Sequence, residues 1–127
     1  IGLMPGSRLP AHSTSMGRVL LAAMPDAEAL RVIEASDLSP RTRFSLTDPE
    51  EIMVQVQAAR TRGYAIVDQE VEISLRSLAV PVLNSKGAGV AALNTGMAAT
   101  QPDPEELIES YLPALLKVQA GIARVLG

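Results

Sequence analysis

The chain has 127 residues, 47 % of them apolar and 2 % aromatic, with a net charge of −3 and a pI near 5.1. This suits one domain built on an aliphatic core, and the lack of a basic cluster or of stacking aromatics argues against a nucleic-acid surface on this segment. With no cysteine there is neither a disulfide nor a thiolate metal site, and no apolar run reaches the roughly 18 residues of a membrane span.

The chain opens on Ile1 with no initiator methionine and no signal-peptide pattern. The expectation is a soluble cytoplasmic protein cut from a larger one. Ile1–Met4 reads as the end of a strand and Pro5-Gly6-Ser7 as a turn. Ser13, Thr14 and Ser15 then precede Val19-Leu20-Leu21-Ala22-Ala23, which marks a helix N-terminus capped by one of the three. Free N–H groups and the helix dipole at such a start can receive an anion, although self-capping alone explains the pattern. Pro25-Asp26 opens a second helix, through Leu30 and Ile33 to about Ala35, and 37–44 is a loop.

Asp48-Pro49-Glu50-Glu51 predicts a third helix, with Asp48 as cap, Pro49 in the first turn and Glu51 at the capping-box position. Ile52, Val56 and Ala59 form its buried stripe, and Gly63 suits the left-handed position that ends it. Strands follow at Tyr64–Val67, Leu75–Leu83 and Ala88–Thr95, the last two joined by a hairpin at Asn84-Ser85-Lys86-Gly87. Leu78–Val82 is nearly all apolar, so both its faces are expected to be covered, with one edge unpaired or bulged at Pro81. Met97–Pro102 reads as a loop. A last helix starts at Asp103-Pro104 and carries Ile108, Leu112, Leu115, Gln119, Ile122 and Leu126 on one face, with Pro113 expected to kink or divide it. Helices grouped on an antiparallel-leaning sheet give an α+β fold; neither a dinucleotide-binding nor a phosphate-binding glycine loop is present.

Few residues offer chemistry. His12 is the one histidine; with Ser13 or Ser15 and Asp68 it is a formal triad, and with Asp68 and Glu70 a formal metal set, but packing beside the first helix accounts for it more simply. Asp68, Glu70 and Glu72 form an acidic loop whose carboxylates can pair with Arg62 or Arg76. Ser77, Asn94 and Thr95 are polar residues in or ending apolar strands, and each needs a partner from a neighbouring strand or from a ligand.

Three blocks together resemble the effector-binding domain of IclR-type transcriptional regulators. They are Leu9-Pro10-Ala11-His12-Ser13-Thr14-Ser15-Met16-Gly17-Arg18 through Ala22; Arg60, Gly63-Tyr64-Ala65, Asp68 and Glu70 with Leu75-Arg76-Ser77-Leu78-Ala79-Val80-Pro81-Val82; and Gly87 with Val90-Ala91-Ala92-Leu93-Asn94. The details are similar to the branch that governs aromatic-acid breakdown (protocatechuate, hydroxybenzoate, β-ketoadipate).

The resemblance implies a GAF-like α+β domain over 1–127, truncated on its N-terminal side. It would bind a small organic acid, aromatic or keto, and use no cofactor, metal or catalytic residue. DNA would be bound only through a winged helix-turn-helix domain that is absent here, and the assembly would be a dimer or tetramer with no membrane partner. The effector site it implies comprises Ile1, Leu9, Ser15, Met16, Asp68 (or Val67), Leu75, Ser77, Asn94 and Gly96, with the N–H groups of Ser15 and Met16 facing the carboxylate. Departures are Ser15 and Met16 where small residues are common, Asn94 and Gly96 where serines often stand, and Ser74 in place of Gly. Two alternatives stand beside it: an oligomerisation module with a vestigial pocket, and a hydrolase using His12.

Overall fold

The structure, a computed structural model, describes residues 10–99 and 104–126. The order is α1 (Ser15–Ala22), α2 (Asp26–Glu34), α3 (Pro49–Arg62), β1 (Ala65–Asp68), β2 (Leu75–Leu83), β3 (Gly89–Ala98) and α4 (Pro104–Leu126). The strands form one antiparallel sheet in the order β1-β2-β3. The fold is α+β, as expected. The strand end anticipated at Ile1–Met4 lies outside the described residues.

Local chemistry sets the helix starts. Thr14, of the three candidate hydroxyls, caps α1: its Oγ1 accepts from Gly17 N at 3.1 Å and donates to Pro10 O at 3.0 Å. Asp48 caps α3 by accepting from Glu50 N at 3.1 Å, so the cap engages Glu50 rather than the capping-box residue Glu51. Gly63 ends α3 at φ 83°, where a side chain would be strained. Gly87 turns the β2–β3 hairpin at φ 80°, with Asn84 Oδ1 accepting from both Lys86 N and Ala88 N.

Helix α1 is the hub. It packs on α2, α3 and all three strands, and Ser15, Gly17, Arg18, Val19, Leu21 and Ala22 are buried out of its 8 residues. Val19, Leu21, Ile33, Ile52, Val56 and Ala59 join Ala65 and Ala79 of the sheet in one aliphatic core. Each fully buried Val, Leu or Ile contributes about 1.5–3 kcal/mol. Cross-strand register puts Ala65, Val67, Leu75, Ser77, Ala79, Asn94 and Gly96 on the α1 side of the sheet, here the inner face. Leu78, Val80 and Val82 point the other way and are also fully buried; α4 packs on β2 and β3 with a half-buried face that includes Ile108, Leu112, Leu115 and Ile122.

Two expectations need correction. Strand β3 runs on to Ala98, so Met97 and Ala98 are strand and not loop, because β2 pairs back to Leu75 and extends the ladder past Gly96. Of the kink or division expected at Pro113, the division does not occur: α4 runs through it as one helix. Pro113 and Glu109, the residue one turn before it, are both exposed, so the carbonyl freed by the missing N–H meets water instead of apolar packing. No helix among the described residues is long and apolar enough to cross a membrane.

Gly17 permits the closest approach in the core. A Cβ there would lie 2.2 Å from Ala11 O and 2.4 Å from its Cα. Gly17→Ala is expected to destabilise the domain by about 1–3 kcal/mol or more in urea unfolding. In contrast, a Cβ at Gly121 of α4 would meet only the far end of Arg124 at 3.9 Å. Gly121→Ala should therefore be neutral or stabilising by up to about 1 kcal/mol. Equal losses at the two positions would remove the Ala11 contact as the reason for Gly17.

Candidate functional site

The candidate site combines the start of α1 with the sheet face on which α1 packs. Thr14 takes Gly17 N on its side chain and Arg18 N on its carbonyl, which leaves the N–H groups of Ser15 and Met16 without a partner among the described residues. Helix starts of this kind carry partial positive charge. Ser15 is buried at 1 % exposure, while Met16 is 36 % exposed and reaches the surface.

The facing wall comes from β2 and β3. Ser77 pairs directly with Gly96, Leu75 with Ala98, and Ala79 with Asn94, so Leu75, Ser77, Asn94 and Gly96 share the inner face. Gly96 leaves space: a Cβ there would be 3.7 Å from Leu75 Cδ1 and 3.9 Å from Arg76 O. On the β1 side Val67 is the cross-strand neighbour of Ser77. Asp68 alternates to the opposite face, where its Oδ1 accepts from Arg76 Nε at 2.8 Å. The structure thus puts Leu75, Ser77, Asn94 and Gly96 on one face of the sheet with Val67 rather than Asp68, sets Ser15 and Met16 at the start of the helix that packs on β2 and β3, and leaves Ile1 and Leu9 outside the described residues.

A buried ion pair holds the two walls in register. Arg18 projects from α1 at 2 % exposure and meets Glu70 of the β1–β2 loop in a two-pronged contact, Nη1 to Oε2 at 2.8 Å and Nη2 to Oε1 at 2.5 Å. Its Nε donates to His12 O at 2.9 Å, so the same guanidinium fixes the segment leading into α1. The loop is clamped from the other side, where Thr42 Oγ1 donates to Gln69 O at 2.5 Å and Ser45 Oγ to Glu70 O at 2.6 Å. Gln69 and Ser74 both sit at positive φ, 60° and 72°, marking its tight turns.

The acids of this loop are expected to pair with Arg62 or Arg76, and Asp68 does pair with Arg76; Glu70 goes to Arg18 instead, and Arg62 stacks over the Tyr64 ring at 4.9 Å. A signal for the true partner was present: Arg18 precedes Val19-Leu20-Leu21-Ala22 with no acid within a helical turn, so a buried Arg there needs a remote carboxylate.

His12 is buried at 5 % exposure beside this pair, and neither its Nδ1 nor Ser13 Oγ finds a hydrogen-bond partner among the described residues. Burial lowers the His12 pKa below 6.5; the Arg18 charge acts in the same direction and Glu70 opposes it. With Asp68 on the far face and bound to Arg76, the formal His12–serine–Asp68 triad is not assembled. No cluster of three metal-binding side chains occurs among the described residues. A separate cavity of about 460 Å³ lies towards the other end of α1, and none of the described inner-face group lines it.

Comparison with known proteins supplies a family. The profile of the family described as "Bacterial transcriptional regulator IclR C-terminal" matches residues 3–124. The chain is 43 % identical over 116 residues to the Pca regulon regulatory protein of Pseudomonas putida, covering 91 % of this chain and 40 % of that protein. It is 37 % identical over 114 residues to the p-hydroxybenzoate hydroxylase transcriptional activator of Acinetobacter baylyi, covering 90 % and 42 %. It thus spans about two fifths of those relatives' length. Among solved structures, a transcriptional regulator from Rhodococcus sp. RHA1 superposes with a TM-score of 0.91 at 37 % identity, covering 98 % of this chain and 50 % of that one. The inducer-binding domain of an Acinetobacter PobR double mutant, in complex with 3-hydroxybenzoic acid, superposes with a TM-score of 0.86 at 32 % identity, covering 97 % and 73 %.

Arg18→Met leaves Glu70 buried without its cation and is expected to cost about 3–5 kcal/mol in urea unfolding. Arg18→Met/Glu70→Met removes both charges and should recover part of that loss; a double variant as unstable as the sum of the singles would show that the two residues are not coupled. His12 gives a pH dependence. Its folded pKa lies below the unfolded value of 6.5, so the unfolded chain binds the extra proton first and stability falls as the pH drops below 6.5. Between about pH 7.5 and about pH 5.5 the Tm of His12→Gln should therefore fall less than that of the parent. An equal fall in both would exclude His12 as the titrating group.

Proposed function

The chain belongs to the IclR family of bacterial transcriptional regulators, as its C-terminal domain, and from that premise we propose that it senses a small organic acid whose binding alters DNA binding by the complete regulator. The ligand carboxylate lies at the Ser15 and Met16 N–H groups, and its apolar body lies over Leu75, Ser77 and Gly96. The observation that carries this reading is the sharing of one sheet face by Leu75, Ser77, Asn94 and Gly96 in strands against which α1 packs.

The chemistry fits a carboxylate held without a free cation. The Arg18 charge is matched by Glu70, so the helix N–H groups supply the positive end. The Ser77 hydroxyl and the Asn94 amide offer donors for a ring hydroxyl, and Leu75 and Met16 offer apolar contact. An aromatic acid is favoured within this class by the 3-hydroxybenzoic acid bound to the PobR neighbour and by the relatives named for the Pca regulon and p-hydroxybenzoate hydroxylase. Assembly as a dimer or tetramer and action on DNA through a separate domain belong to the same proposal.

The test is a thermal-shift titration of the chain with a panel of hydroxybenzoates, protocatechuate and keto acids. At least one acid should raise the Tm saturably, by an amount set by its concentration over Kd. Gly96→Leu adds a side chain beside Leu75 on the inner face, opposite Ser77, and should abolish that shift while leaving the unliganded Tm within a few degrees. An unchanged shift in Gly96→Leu would move the ligand off the inner face. No shift with any acid would favour the oligomerisation module.

A further inference from the structure

We propose that the cavity towards the C-terminal end of α1 is a second small-molecule site, which takes an organic anion with an apolar body. It arises from the sheet's uneven edges. Strand β1 pairs with β2 only as far as Ala65 opposite Ala79, whereas β2 runs on to Leu83. Past Ala79 no strand of the described residues lies on that side of β2. Pro81 sits in this open stretch, where it has no N–H to leave unpaired, and its carbonyl is taken by Gln119 Nε2 of α4 at 2.5 Å.

Alanines at 22, 23 and 59 are too small to fill the space between α1, α3 and α4, and about 460 Å³ is left. That volume falls within the roughly 300–1,000 Å³ of small-molecule pockets. Its walls are aliphatic: Val19 and Ala22 from α1, Pro81 and Leu83 from β2, and Leu112 and Leu116 from α4.

The cationic character comes from the end of α3. Arg60 and Arg62 both line the cavity, but Arg60 is committed. Its Nε and Nη2 donate to Ala22 O and Met24 O at 2.7 and 3.0 Å, and its Nη1 pairs with Asp26 at 2.7 Å. Arg62 makes no ion pair with a carboxylate of the described residues, and its guanidinium carbon sits over the Tyr64 ring, 4.9 Å from its centroid. An apolar chamber with one available guanidinium beside an aromatic ring selects an anion attached to a hydrophobic group. This site shares no described residue with the inner-face site and stands independently of it.

Anilinonaphthalene sulfonate is the probe: an aromatic body with one fixed negative charge. Its fluorescence on titration with the folded chain should saturate. Arg62→Gln should weaken binding about tenfold, the loss of one charge-assisted contact. Leu116 is 41 % exposed, so Leu116→Trp can fill the chamber from the surface of α4 and should abolish saturable binding. Nuclear Overhauser contacts from the naphthalene protons should reach the methyl groups of Leu83, Leu112 and Leu116. Unchanged affinity in both variants overturns the proposal. So do Overhauser contacts to Leu75 in place of Leu112 and Leu116, a result that still decides the question if one variant fails to fold.

Discussion

Arg18 and Glu70 meet out of water, 52 residues apart in sequence, and the site depends on where they put each other. A buried pair of this kind contributes little net stability, because desolvating two charges offsets most of their attraction. What it supplies is position. The two-pronged geometry tolerates little sliding, so the β1–β2 loop is fixed against α1, and the third bond, to His12 O, fixes the chain entering the helix. The cap at Thr14 then sets which N–H groups stay free. The pair also removes a competing charge: an unmatched Arg18 would draw an anion to its own guanidinium, whereas the matched pair leaves the helix start as the positive feature.

The sheet contributes by alternation. One-residue steps decide which side chains meet α1, so Val67 and Ser77 belong to the inner wall and Asp68 and Arg76 do not. The outer pair has its own role at 2.8 Å, tying the ends of the two strands together across the loop. The acidic loop is therefore not a single electrostatic feature. Asp68 serves the outer face, Glu70 reaches inward to α1, and Glu72 is exposed to solvent.

Much of this was legible in the residues, because helix starts and turns rest on local chemistry. Asp48-Pro49, Gly63 and Asn84–Gly87 each mark a boundary that the structure respects. The apolar spacing of Ile52, Val56 and Ala59 correctly named the buried stripe of α3. What escaped was non-local. The length of β3 depends on how far β2 pairs back, which no property of Met97 or Ala98 announces. Whether Pro113 divides a helix depends on what surrounds the carbonyl it frees. The Arg18–Glu70 partnership needs a fold to bring it together; of the two nearer arginines, Arg76 does pair with Asp68, but Glu70 goes to Arg18. The inner-face group came from the family resemblance; the residues alone offered only polar side chains in need of partners.

Helix α1 is the element through which occupancy of the domain can be felt. It is only 8 residues long, its N-terminal end faces the proposed effector site, and Val19 and Ala22 towards its other end line the second cavity. A ligand at either place changes nothing elsewhere unless it binds one arrangement of the domain better than another. The two ends of α1 are held differently in that respect. At the start, a buried ion pair and the close contact of Gly17 with Ala11 leave little room for adjustment. At the far end, Arg60 holds Ala22 O and Met24 O from a partly exposed side chain, and the neighbouring space is not filled. Packed regions resist displacement and unfilled ones yield. Were an effector at its start to shift α1, the unfilled space between α3 and α4 is where the shift would be taken up, and by linkage an occupant of that space would then alter the effector's affinity.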